Sequence, residues 1–114
     1  MSKLEADVVV IGAGASGIAA AVAAAEKDTS VIIFEKGSTT GGAANMGMGF
    51  FAVESKHQKA QMIDLTLDEA FEFFMEYTHW HADARLVRKY MAQSADTIEW
   101  IEKLGVEFLG VYKY

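Results

Sequence analysis

Apolar residues first gather in "DVVVI", Asp7 to Ile11, with no polar position interrupting them. A β-branched run without alternation predicts a strand buried on both faces of a parallel sheet. From about Ser16 to Lys27 the pattern turns to small residues, six of them alanine, and predicts a helix. "DTS" then makes a tight return, and "SVIIFE", Ser30 to Glu35, repeats the buried-strand pattern. Strand, helix and strand within about 30 residues form a βαβ unit, here residues 1–36, with a right-handed crossover.

Residues 37–50, "GSTTGGAANMGMGF", carry five glycines among small residues and predict a loop that stays close to something. "FAVESKHQKAQMID" has no clear period and reads as irregular or partly helical. The segment 66–105 is helical. It opens with a capping box, Thr66 with Glu69, and has acids in the first turn. Leu67, Phe71, Phe74 and Tyr77 form its apolar stripe. Asp83 caps a second helix, 84–104, whose face is Val87, Tyr90, Met91, Thr97, Ile98, Ile101 and Leu104. Gly105 is its left-handed cap, and Val106 folds back on Ile101.

Composition narrows the classes. A chain of 114 residues fits one domain, and 52% hydrophobic against 23% charged residues argues for a globular chain. A net charge of −6 argues against a nucleic-acid partner, which would need a basic face. With no cysteine, the chain has neither disulfides nor thiolate chemistry. "MSKLEADVVVIG" does not read as a secretory signal, and no segment reaches the roughly 20 apolar residues of a membrane span. The expected compartment is the cytoplasm.

The chemistry lies in "GAGASG", residues 12–17, between the first strand and its helix. Gly12 permits the tight turn, Gly14 lets a pyrophosphate approach the backbone, and Gly17 lets the helix pack on the strand. Ala13, Ala15 and Ser16 fill the turn, and the helix N-terminus favours a phosphate. Glu35 lies 23 residues after Gly12, close to the roughly 20 expected of an acid that accepts from ribose hydroxyls. Glycine-rich turns alone are weak evidence. Strand, helix and acid together favour a dinucleotide, without separating FAD from NAD.

"ADVVVIGAGASGIAAAVAAAE", "VIIFEK" and "GGAANMGMG" resemble the start of the fumarate reductase/succinate dehydrogenase flavoproteins. That family also includes urocanate reductases and ketosteroid dehydrogenases. "SADTIEWIEKLGVEF" resembles the helix closing this stretch in soluble members, so the resemblance runs over nearly the whole chain. It implies an α/β fold: a Rossmann-like βαβ FAD-binding unit (1–36), a glycine-rich flavin loop (37–50) and two amphipathic helices. It implies ribose binding by Glu35, with Lys36 beside it. It also implies pyrophosphate and flavin contacts from Gly41, Gly42, Ala43, Ala44, Met48 and Gly49. Relatives with covalent flavin have histidine where Ala43 stands, so the implied FAD is non-covalent. Soluble relatives place Asn-Thr or Asn-Ser where this chain has Ala43-Ala44, leaving Asn45 as the nearest replacement donor.

The implied activity is that of a flavin-dependent oxidoreductase passing hydride between flavin and a C=C or CH–CH substrate. The family's members are several hundred residues long, and their substrate-binding histidines, arginines and proton donor lie beyond this length. Two strands do not make a stable parallel sheet alone. Residues 1–114 are therefore expected to be the N-terminal part of an FAD-binding domain, partnered by a missing C-terminal remainder and prone to self-association. A non-catalytic nucleotide-binding or interaction module and a fragment of an NAD-dependent enzyme are the alternatives. No catalytic residue and no metal ligand is assigned. His79 and His81 point to different faces of a helix, His57 reads as solvated, and Met46 and Met48 are expected to face the flavin. The other methionines read as core. Arg85 and Arg88 read as the polar side of their helix.

Overall fold

Asp7 and Ser30 clamp the start of the sheet. The Asp7 carboxylate accepts the Ser30 N–H at 2.9 Å and its hydroxyl at 2.6 Å, while Ser30 Oγ accepts the Asp7 N–H at 3.0 Å. These bonds, the hydroxyl's first, hold the Asp7 carboxyl below its ordinary range. One residue further on, strands β1 (Val8–Ile11) and β2 (Val31–Phe34) pair in parallel, from Val8 opposite Val31 to Ile11 opposite Phe34. The clamp is consistent with that register, one residue before the ladder begins. The computed structural model describes residues 3–111, and the chain divides after Met48 into two compact units.

In the first unit, helix α1 (Ala15–Ala25) crosses between the strands and packs on both. It covers one face of the sheet, with Val8 and Val10 half-buried beneath it. On the other face Val9 and Phe34 are exposed, and Ile11 is 80% exposed. The sequence pattern predicts burial of both strands on both faces. One helix and two strands can cover only one of them. A short 3-10 helix, Gly42–Met46, follows β2.

The second unit contains α2 (Lys56–Ala60), α3 (Leu67–Tyr77), α4 (Ala84–Ala92) and α5 (Ser94–Lys103). Val53, Ala70 and Met91 form a buried cluster, with Leu67, Phe71, Phe74 and Val87 packed against it. The capping box is present: Thr66 Oγ1 accepts the Glu69 N–H, and Glu69 accepts the Thr66 N–H at 2.9 Å. Asp83 Oδ1 accepts the Arg85 and Leu86 N–H groups and caps α4. The end of α5 is tied by Gly105 N–H to Glu102 C=O and Val106 N–H to Ile101 C=O, the paired bonds of a Schellman closure.

Several expectations shift. Tyr77 is 77% exposed, and the buried positions of α3 are Ala70 and Met75. Met62 is exposed, whereas Met75 and Met91 are buried. The helix read as 84–104 is broken at Gln93. There the buried Ser94 hydroxyl lies 2.8 Å from the Met91 carbonyl and 3.3 Å from that of Val53. A serine bonding back to the preceding turn offers the backbone an alternative to continuous helix. The unclear segment contains α2, capped by Ser55, whose Oγ accepts the Gln58 N–H. Among the described residues no helix is long and apolar enough to cross a membrane.

His57 is not solvated. Its Nε2 pairs with Glu102 Oε1 at 2.7 Å, its ring packs near Phe108, and Lys56 Nζ meets Glu102 Oε2 at 2.6 Å. Glu102 thus joins α2 to α5. The Lys56 contact first, then that of His57, holds its carboxyl below the ordinary value of 4.5, against the opposing effect of burial. A depressed carboxyl contributes stability above its unfolded value and loses it as pH falls through the folded one. Glu102→Gln is therefore expected to lower stability at neutral pH and to flatten the acid limb below about pH 4.5. Melting curves followed by circular dichroism across the acid range check this. Equal acid sensitivity in both proteins would contradict it.

Candidate functional site

Three glycines shape the turn from β1 to α1, each differently. Gly12 has φ +96° and donates its N–H to the Phe34 carbonyl at 2.7 Å, so the chain leaves the sheet sharply. Gly14 is the N-cap of α1. No side chain caps the helix there, and a Cβ added at Gly14 would meet nothing within 4 Å. The first N–H groups of a helix lack intrahelical partners, and here they follow a residue whose Cβ side is open. At Gly17 an added Cβ would lie 2.0 Å from the Gly12 carbonyl oxygen and 3.3 Å from Val10 Cγ1. Gly17 is where the helix touches the strand.

Ala13 joins the surrounding loops. It is 1% exposed, its N–H donates to Glu35 Oε2 at 2.7 Å, and its carbonyl accepts the Gly41 N–H at 2.7 Å. The other Glu35 oxygen accepts the Gly37 N–H at 2.7 Å. These two amides, Gly37 first, hold the Glu35 carboxyl below its ordinary range. Gly14 and Gly41 run side by side as a parallel bridge, and a Cβ at Gly42 would sit 3.5 Å from Gly14 Cα. Gly41 has φ +100°, and an added Cβ there would overlap the Asn45 amide. Asn45 donates to the Thr40 carbonyl at 2.8 Å, so one of its two amide N–H groups braces its own loop.

The first unit thus brings together Gly12–Gly17, Glu35, Gly41 and Gly42. Ala43 and Ala44 lie exposed in the 3-10 helix, Lys36 is exposed beside Glu35, and Met48 is 89% exposed. Gly49 belongs to the second unit. The part of Gly37, two residues after the acid, was not legible in the glycine spacing.

The residues present suit a diphosphate. A helix end without a side-chain cap, no acid in the first turn of α1 and glycine backbone at Gly14, Gly41 and Gly42 allow an anion close approach. Elsewhere, His79 and His81 are exposed, and no group of three potential metal ligands exists among the described residues. Arg88 pairs with Asp68 at 2.5 Å and lies over the Phe71 ring, as expected of an outward helix face.

Comparison with known proteins agrees with this geometry. Residues 7–112 match the family described as FAD binding domain. The vinyl phenol reductase of Lactiplantibacillus plantarum is 44% identical over 105 residues, which are 92% of this chain and 21% of that protein. A 3-ketosteroid-Δ4-(5α)-dehydrogenase structure from Rhodococcus jostii, 32% identical, matches with TM-score 0.79 over 95% of this chain and 23% of its own. The open conformation of a flavocytochrome c3 fumarate reductase, 28% identical, gives 0.83 over 95% and 19%. The chain spans about a fifth of the length of these relatives.

Proposed function

Since the chain belongs to the FAD binding domain family, we propose that its first unit holds the ADP half of FAD within a longer flavin-dependent oxidoreductase. The single observation that carries the assignment is the open space at Gly14, flanked by the N-terminus of α1 and the Gly41-Gly42 backbone. Gly12, Ala13, Gly14, Ala15, Ser16 and Gly17 would receive the pyrophosphate, and Gly41, Gly42, Ala43 and Ala44 would flank it. Glu35, with Lys36 adjacent, would accept from the ribose. Two of the roughly four acceptor positions on the Glu35 carboxylate are taken by backbone amides, leaving capacity for hydroxyls. Met48 and Gly49 are assigned to the flavin side on resemblance.

Bound FAD supplies hydride transfer, and the protein orients it and sets its electrostatics. The relatives' names, reductases of vinyl phenol and fumarate and a ketosteroid dehydrogenase, support a C=C or CH–CH substrate for the whole enzyme. The remainder of that enzyme is the proposed partner of this chain, and the cytoplasm is the proposed compartment of the whole.

The FAD is proposed to be non-covalent, because "GGAA" at 41–44 offers no nucleophilic side chain. Acid precipitation of the full-length flavoprotein is expected to leave all flavin in the supernatant, identified as FAD by chromatography. Colour in the pellet would overturn the non-covalent assignment, and a colourless protein that takes up no flavin would overturn the function.

A further inference from the structure

We propose that Glu35 is a positioning residue for the phosphate turn, in addition to any contact it makes with a ribose. The inference rests on the nucleotide-binding reading above and adds a role that a ribose acceptor need not have. Ala13, buried between Gly12 and Gly14, is held through both of its backbone polar groups. Its N–H is held by Glu35 Oε2 and its carbonyl by the Gly41 N–H, both at 2.7 Å. The second Glu35 oxygen draws in the Gly37 N–H, so one carboxylate ties the phosphate turn to the loop leaving β2. Gly37 in turn leads to Gly41, which closes the circuit on the Ala13 carbonyl.

Of the bonds that fix this turn, only the one to the Ala13 N–H comes from a side chain, and the glycines on either side lose the most freedom on being fixed. Ionised acceptors make the stronger hydrogen bonds, so a carboxylate suits this task better than an amide. The acid therefore sets the direction of the α1 N–H groups before a ligand arrives. Lys36 is the neighbouring charge that favours the ionised form.

Inorganic pyrophosphate, which has no ribose, separates the two roles. In Glu35→Gln the carboxamide keeps the size but presents a donor to one of the two amides. Pyrophosphate affinity is expected to fall about tenfold, and hydrogen–deuterium exchange of ligand-free peptides covering 12–17 and 36–41 to rise about tenfold. Exchange in the β2 peptide should be unchanged. Unchanged exchange, or equal or tighter pyrophosphate binding with weaker ADP binding, would reduce Glu35 to a ribose contact and overturn the proposal.

A second measurement needs no variant. In wild-type chain labelled at glycine, acid titration should shift the Gly37 amide resonance with a midpoint below 4.5, the ordinary value for Glu35. A Gly37 signal that ignores the titration would also overturn it. Should wild-type protein bind neither FAD nor pyrophosphate, the nucleotide reading fails. The exchange and titration results then still decide whether Glu35 holds the turn.

Discussion

Gly17→Ala is expected to abolish the fold of the first unit, while Gly14→Ala leaves it intact. The two glycines sit in one motif, three residues apart, and fail for different reasons. A methyl at Gly17 would lie 2.0 Å from the Gly12 carbonyl oxygen and 3.1 Å from its carbon, both backbone atoms that cannot rotate aside. Relief requires lifting α1 off the strands. Those contacts, with the β1–β2 pairing, are what holds this unit together. Overpacking in a well-packed interior costs about 1–3 kcal/mol, and a backbone collision in a two-stranded unit should reach at least the upper end. That is a large fraction of the stability of any small domain.

At Gly14 the same methyl would meet no protein atom. Its φ of −76° and ψ of 179° are open to any residue. The side chain would project instead into the space proposed for pyrophosphate. In the full-length flavoprotein, Gly14→Val should therefore purify folded and colourless, whereas Gly17→Ala should be insoluble or melt well below the wild type. Flavin absorbance and thermal melting, read together, test the pair. A yellow Gly14→Val protein would sink the phosphate-cradle assignment. A Gly17→Ala protein as stable as wild type would show that α1 can move without loss.

What was legible in the sequence was mostly local. The βαβ order followed from two unbroken apolar runs around a small-residue helix, and the Thr66–Glu69 box, the Asp83 cap and the Gly105 closure each need only neighbouring residues. Features that depend on distant partners were not legible. At the break near Gln93, the Ser94 hydroxyl also reaches the Val53 carbonyl, 41 positions away. His57 reads as solvated in the sequence because its partner, Glu102, is 45 positions on. Tyr77 fits the helical period as well as Met75 does, and only the tertiary packing, which buries Met75 and leaves Tyr77 exposed, decides which turns inward. In the site, glycine spacing pointed to the turn, but the tie from Glu35 to Ala13 and Gly37 is made with main-chain amides. Those groups carry no sequence signature.

The 114-residue chain by itself is expected to self-associate or to be a weakly stable monomer, and to bind FAD poorly. Val9, Ile11 and Phe34 leave one face of the sheet open, and each of its two strands has an unpaired edge. Unpaired, flat, apolar edges are templates for pairing with another copy, and a two-stranded sheet is marginal without further cover. In the second unit Phe73, Tyr77, Leu86 and Tyr90 are exposed on α3 and α4, adding apolar surface that a neighbour would cover. Exchange of elements between copies is one low-cost route to such cover. The backbone cradle proposed at Gly14 and Gly41 would take only the diphosphate, and a ring as large as isoalloxazine needs more wall than this chain supplies. Affinity weaker than about 1 μM, or roughly 8 kcal/mol, is therefore expected. Light scattering gives the size of the particles, and quenching of FAD fluorescence on titration gives the affinity. A monodisperse monomer that binds FAD at micromolar concentration or better would mean that the open face needs no cover and that these residues alone make a complete flavin site.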